Sequence, residues 1–253
     1  MTGAWWIVLV LLQDGPKHYT CRRSVTPPAF DGKLIAGAWQ SAAWTDDFVD
    51  IEGPERKPAP PRFRTRAKLL WDDQYLYIGA ELEEPMPWAT LKKHDSVIFR
   101  DPDFEVFLDP DSDSRNYFEF EINAWNTSWD LFLPETYRNK GKADNSWGIP
   151  GLRTAVHVEG TLNDPIHRSR GWTVEIAFPW SGFHHKGYTA SKPHEGETWR
   201  INFSRVEWRT EVVRGKIRKL RGVKEDNWVW SPQGEIDMHV PEKWGYVRFV
   251  ASE

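Results

Sequence analysis

The sequence predicts an all-β protein: an antiparallel two-sheet sandwich, immunoglobulin-like or jelly-roll-like, with short helical turns. Three observations predict it. Apolar residues recur at every second position in segment after segment, which puts them on one face of a strand. Clusters of Asp, Asn, Gly and Pro separate these segments, as turns do. No long stretch carries an apolar stripe of helical period. The 16 Trp, 13 Phe and 7 Tyr among 253 residues reinforce the class, because flat side chains favour pleated, half-buried surfaces.

In chain order, the first element is the apolar run Ala4–Leu12. It is too short to span a bilayer. It reads either as the core of an export signal, within residues 1–14, or as an apolar N-terminal strand; no Lys or Arg precedes it and no A-x-A-like cleavage site follows. Residues 15–253 read as one domain. A short helical piece is expected at Gly37–Ala43, after the Asp31-Gly32 turn. The Pro-rich stretch Pro54–Pro61 resembles a linker but lies too early to leave a separate N-terminal domain with its own core.

Strands Ala67–Trp71 and Tyr75–Glu83 flank Asp72-Asp73-Gln74, a hairpin loop. Phe104, Val106 and Leu108 alternate with Glu105 and Phe107, and the Asp109–Asp113 turn follows. Phe118, Phe120 and Ile122 alternate with Glu119, Glu121 and Asn123. Asn126-Thr127 turns that strand back into Ser128–Leu133. Val156 and Val158 mark a further strand, and Trp172–Phe178 another, closed by a short helical piece at Trp180–Phe183. Trp199, Ile201 and Phe203 alternate with Arg200 and Asn202. Arg209–Lys224 carries seven basic residues and one acid, and reads as an exposed hairpin or an anion patch. Tyr246, Arg248 and Val250 mark the last strand.

Composition narrows the function classes. Net charge is −4, from 33 basic and 37 acidic residues, so nothing draws the whole chain to nucleic acid or anionic lipid. No run reaches 18 apolar residues, and a stable membrane span is not expected. Cys21 is the single cysteine, which excludes an intrachain disulfide and a multi-cysteine zinc site.

The face opposite the apolar one on the central strands would present Glu105, Phe107, Tyr117, Glu119, Glu121, Asn123, Arg200 and Asn202. Sugars need this mixture: aromatic faces cover the C–H side of a ring, and carboxylates and amides bond its hydroxyls. The bland alternative is a solvated sheet face with cross-strand ion pairs. A second alternative is a glycosidase carboxyl pair, which needs two acids ~5–9.5 Å apart. Asp109, Asp111 and Asp113 offer three carboxylates in one turn, a donor set for Ca²⁺ or simply an acidic turn; Ser114 at position six and Phe120 at position twelve exclude an EF-hand. Met238 and His239 supply the side-chain types that ligate b-type haem, a third reading, without any C-x-x-C-H attachment motif. Asn126-Thr127-Ser128 and Asn202-Phe203-Ser204 match the N-glycosylation pattern but fall in or beside strands, where a structural role is expected.

A set of motifs then carries a family resemblance. They are F-D-G-K-L at Phe30–Leu34, A-W at Ala38–Trp39, L-L-W-D-D-Q-Y-L-Y-I-G-A at Leu69–Ala80 and D-F-E-V-F-L-D-P at Asp103–Pro110. Y-F-E-F-E-I-N-A at Tyr117–Ala124, G-W-T-V-E-I-A-F-P-W at Gly171–Trp180 and W-R-I-N-F-S-R at Trp199–Arg205 follow. W-S-P at Trp230–Pro232 and W-G-Y-V at Trp244–Val247 complete the order. In order and spacing they resemble the family 9 carbohydrate-binding modules and family-9-like proteins.

The resemblance implies a non-catalytic sandwich that binds sugar, typically the end of a plant polysaccharide such as xylan or cellulose; the signal-like N-terminal run points to a location outside the cell or in the periplasm. The resemblance also implies structural Ca²⁺. Such modules hold a sugar ring between two tryptophans, with acidic, basic and amide groups on its hydroxyls. By this resemblance the acidic ligand falls on Glu105 and the first tryptophan position near Phe99. The basic ligand falls on Glu121, a reversed charge, and the second tryptophan near Met238. Asn123, Trp125, Trp129 and His239 complete the expected sugar site. Trp172 and Trp199 are expected in the core, and Trp39, Trp71, Trp230 and Trp244 belong to fold motifs. Trp88, Trp125, Trp129, Trp147 and Trp228 remain open to a functional role.

Overall fold

A computed structural model describes residues 15–252. The apolar run Ala4–Leu12 lies outside the described residues. The strands are β1 (His18–Arg23), β2 (Val49–Asp50), β3 (Thr65–Trp71), β4 (Tyr75–Glu83), β5 (Asp103–Asp109) and β6 (Tyr117–Asn123). They continue with β7 (Ser128–Leu133), β8 (Arg153–Glu159), β9 (Gly171–Pro179), β10 (His184–His185) and β11 (Tyr188–Thr189). The last are β12 (Thr198–Glu207), β13 (Thr210–Val213), β14 (Lys216–Lys219), β15 (Asp226–Val229) and β16 (Gly245–Val250). The two expected helical pieces form as single 3₁₀ turns, Gly37–Gln40 and Trp180–Gly182.

The strands run β7-β6-β5-β12-β16-β1-β3-β4-β9-β8 in one hydrogen-bonded ladder. It folds over so that its two ends face each other across a shared core. Phe120 of β6 meets Phe178 of β9 edge-on, with ring centroids 5.3 Å apart. The inward set of β5 and β6 is Phe104, Val106, Leu108, Phe118, Phe120 and Ile122; that of β4 and β9 includes Leu76, Ile78, Val174 and Ile176. These are the residues that the period of two selects.

β1 departs from the antiparallel expectation. It runs parallel to β16, with Tyr19 beside Val247 and Cys21 beside Phe249, and parallel to β3 at Arg22–Leu70. A parallel pair needs a long crossover. Here almost the whole domain is that crossover, so local sequence carries no sign of it. Ten-residue β12 pairs with β16 through Thr198–Ile201 and with β15 through Ser204–Glu207. Pro54–Pro61 lies between β2 and β3, inside this one fold. Arg209–Lys224 contains the hairpin β13–β14.

Two polar clusters brace the interior. Arg205 is fully buried and bonds Glu84 at 2.6 Å, Glu207 at 2.8 Å, the Thr65 hydroxyl and the Glu83 carbonyl. Lys68 donates to the carbonyls of Leu34 and Trp39 and sits over the Trp44 ring at 4.3 Å. Gly79 belongs under that segment, because a Cβ there would collide with Leu34 and press on Trp39. Trp88, Trp147 and Trp228 are buried, so of the five open tryptophans only Trp125 and Trp129 reach the surface.

Candidate functional site

The outward face of β5, β6, β7 and β12 reads from sequence either as a sugar-binding surface or as a solvated face with cross-strand ion pairs. Phe107, Tyr117, Glu105, Glu119, Glu121, Asn123 and Asn202 are instead all buried. Two connections cover them. The segment 84–102 closes one end of the face, and Met238, His239 and Trp244 close the other.

Register sets the site's floor. Antiparallel pairing aligns Ser204 with Glu105, Glu105 with Glu121, and Glu121 with Trp129. One row therefore crosses four strands as Ser204, Glu105, Glu121 and Trp129. The next row is Asn202, Phe107, Glu119 and Leu131. Asp103 stands two residues before Glu105 on the same face and accepts a hydrogen bond from the Val206 amide. Four carboxyls thus share a small buried area. Among the described residues no Lys or Arg forms an ion pair with any of them.

Burial disfavours the charged form of each acid and raises its pKa. Burial pushes Glu105 up to about 7, although the nearby Ser204 hydroxyl opposes the rise without reaching regular hydrogen-bond geometry. Asp103 and Glu119 are raised well above the usual carboxylate range, by burial first and then by the charge of Glu105. Glu121 is raised by burial, then by Glu105, Asp103 and Glu119.

Phe99 and Trp129 form the aromatic rim. Phe99 is 40% exposed, its ring centroid lies 6.4 Å from that of Trp129, and its backbone amide donates to Glu121 Oε2 at 2.9 Å. This bond locks the rim to the acidic floor. His239 sits at the other end. Its Nδ1 pairs with the Tyr117 hydroxyl at 2.9 Å, its Nε2 lies 4.0 Å from Glu119, and burial lowers its pKa to about 4. Its imidazole is therefore neutral at neutral pH.

Several expected ligands have other work. The Asn123 amide donates to the Leu91 carbonyl and Asp101 and accepts from the Trp125 and Thr127 amides. Its oxygen builds the β6–β7 turn and its NH₂ ties that turn to the 84–102 connection, so it positions the site and has nothing left for a hydroxyl. Trp125 is exposed, but its indole nitrogen bonds the Ala89 carbonyl and Lys92 caps its ring at 4.0 Å. Met238 is no platform: it packs among Ile51, Phe107, Tyr117, Leu131, Val229 and Trp244. With Met238 in that cluster and His239 bonded to Tyr117, the two make no open axial pair for haem. Asn202 is fully buried and its amide is engaged with Ser231 and Phe203, which excludes it as a glycan acceptor.

The Asp109 turn does gather its acids. Asp109, Asp111 and Asp113 bring carboxylate oxygens within 4.8 Å of one another. Asp109 is buried and its Oδ1 has no hydrogen-bond partner, which suits a hard cation. Burial raises its pKa to about 7.

Sequence reasoning missed two residues beside the site. Tyr137 meets His239 edge-on at 4.4 Å, and the Trp208 indole bonds the Phe99 carbonyl. Both lie in irregular or strand-end segments, where no periodicity flags them.

The fold and this face define a β-sandwich recognition domain with an aromatic-rimmed acidic site. The profile of the carbohydrate family 9 binding domain-like proteins matches residues 30–249, and the chain belongs to that family. Exoglucanase XynX of Acetivibrio thermocellus is 25% identical over 154 residues, 61% of this chain and 12% of that protein. Endo-1,4-beta-xylanase A of Thermoanaerobacterium saccharolyticum is 25% identical over 114 residues, 45% of this chain and 8% of that protein. The chain thus matches only about a tenth of the length of these relatives. A family 9 module from Caldicellulosiruptor kristjanssonii, solved with cellotriose, shares the fold at a TM-score of 0.61 and 16% identity, over 94% of this chain and 95% of that one. The same module solved with glucose gives a TM-score of 0.59 at 17% identity, over 94% and 97%.

Proposed function

We propose that this domain is a non-catalytic binder of oligosaccharide or polysaccharide chain ends, of the plant type represented by xylan and cellulose, acting where such polymers are broken down. The observation that carries this reading is the Glu105–Glu121 pair beneath the Phe99–Trp129 rim. An aromatic rim takes the apolar face of a sugar ring, and carboxylates accept hydrogen bonds from its hydroxyls. The names of the relatives, xylanases and an exoglucanase, support the substrate class. Because such polymers do not cross membranes, the domain works outside the cell or in the periplasm. Among the described residues no helix is long and apolar enough to cross a membrane. A structural Ca²⁺ held by Asp109, Asp111 and Asp113 belongs to the same proposal.

The test is tryptophan fluorescence titration against xylo- and cello-oligosaccharides and a wider glycan panel. Saturable quenching or enhancement with at least one sugar is expected. No response to any sugar at millimolar concentration removes the reading, and release of reducing ends from a polymer would favour the glycosidase alternative.

A further inference from the structure

The acidic floor is unusual as a bare protein surface. Asp103, Glu105 and Glu121 are all buried, and each brings a carboxylate oxygen within 4.8 Å of the others. Like charges set directly opposite across strands repel. A buried carboxyl either takes up a proton or, if it stays charged, needs a paired cation or a metal. Among the described residues no Lys or Arg supplies that pairing.

Further polar atoms on the same face lack partners. Ser204 is fully buried beside Glu105, and its Oγ makes no hydrogen bond. Glu119 is 5% exposed, and its Oε2 makes none. Asp103 Oδ2 is likewise unpartnered, although Oδ1 holds the Val206 amide. Buried polar groups in native proteins are overwhelmingly satisfied, so a concentration of orphan oxygens around one point asks for a donor or a cation.

From this arrangement we infer that Asp103, Glu105 and Glu121 bind one divalent cation, with Ser204 and Glu119 facing it. The donors are all hard oxygens, which select Ca²⁺, Mg²⁺ or Mn²⁺ over softer metals. Ca²⁺–oxygen distances of ~2.4 Å make ~4.8 Å the widest separation of two oxygens on one ion, and the three carboxylates fit inside that limit. The site differs from the Asp109 turn, whose Asp111 and Asp113 are solvent-exposed. It lies beneath the Phe99–Trp129 rim but does not depend on the sugar reading, because cation binding is measured without sugar.

The experiment uses the full chain, stripped with EDTA and desalted, carrying Asp111→Asn and Asp113→Asn so that the acidic turn does not contribute. Calorimetric titration with CaCl₂, MgCl₂ and MnCl₂ is paired with Tb³⁺ luminescence sensitised by tryptophan, since Trp129 adjoins Glu121. One cation per chain is expected. Glu105→Gln and Glu121→Gln should each weaken it at least tenfold while circular dichroism stays native. Asp103→Asn should do the same; if loss of the Val206 bond unfolds it, Glu105→Gln still decides, because no regular hydrogen bond depends on that carboxyl. Absence of binding by all three metals, or binding that survives Glu105→Gln and Glu121→Gln, overturns the inference.

Discussion

Glu105 and Glu121 stand directly opposite each other on neighbouring antiparallel strands, both buried. The Phe99 amide holds Glu121 Oε2 at 2.9 Å. This relationship joins the acidic floor to the aromatic rim. It also predicts a trade between stability and binding. Glu121→Gln keeps an oxygen for the Phe99 amide and removes a buried acid whose ionisation burial and the facing Glu105 disfavour. In metal-free buffer at pH 8 it should stabilise the fold by about 1 kcal/mol, or roughly 2–4 °C in Tm. Sugar affinity should fall in the same variant. A lower Tm would show that the pair is not strained.

Phe99 is exposed enough that truncation costs little packing. Phe99→Ala should leave Tm within about 1 °C yet weaken sugar binding about tenfold, or ~1.4 kcal/mol. Differential scanning calorimetry and a binding titration on one preparation check both halves.

Arg205 holds Glu84 and Glu207 in the interior. Arg205→Met strands two buried carboxyls. It should destabilise the domain by about 3–5 kcal/mol, read by denaturant melts. A loss below about 1 kcal/mol would mean that the cluster is hydrated.

His239 has a folded pKa near 4, below its ordinary value. Between about pH 6.5 and 4 the unfolded chain therefore binds a proton that the folded chain refuses, so this residue's contribution to stability falls as pH falls. The loss approaches about 3 kcal/mol by pH 4. His239→Phe should flatten that part of the stability–pH curve, and NMR titration of His239 should show no shift until pH approaches 4. A midpoint near 6.5 would contradict the buried imidazole.

Much of this was legible in the sequence. The period of two located the strands through residues such as Phe118, Phe120 and Ile122, because one sheet face must be apolar. It also placed Glu105, Glu119 and Glu121 together on the other face. The row Ser204–Glu105–Glu121–Trp129 was not legible, because it depends on register among strands far apart in sequence. Nor was its burial, which comes from the Phe99 and Met238–His239 connections folding over it. Asn123 looked like a ligand because an amide is a good one; only the geometry shows that its turn and the 84–102 connection use every bond. The parallel pairing of β1 with β16 joins the two ends of the described chain, beyond any local signal.

The central claim is that sugar binds over the Glu105–Glu121 floor, against Trp129. Isothermal titration of cello- and xylo-oligosaccharides into the wild-type chain and Trp129→Ala tests it most directly. The account predicts one saturable site in the wild type and at least a tenfold loss of affinity in the variant, with the fold retained. Equal affinity in both chains, or no binding heat from either, would contradict it.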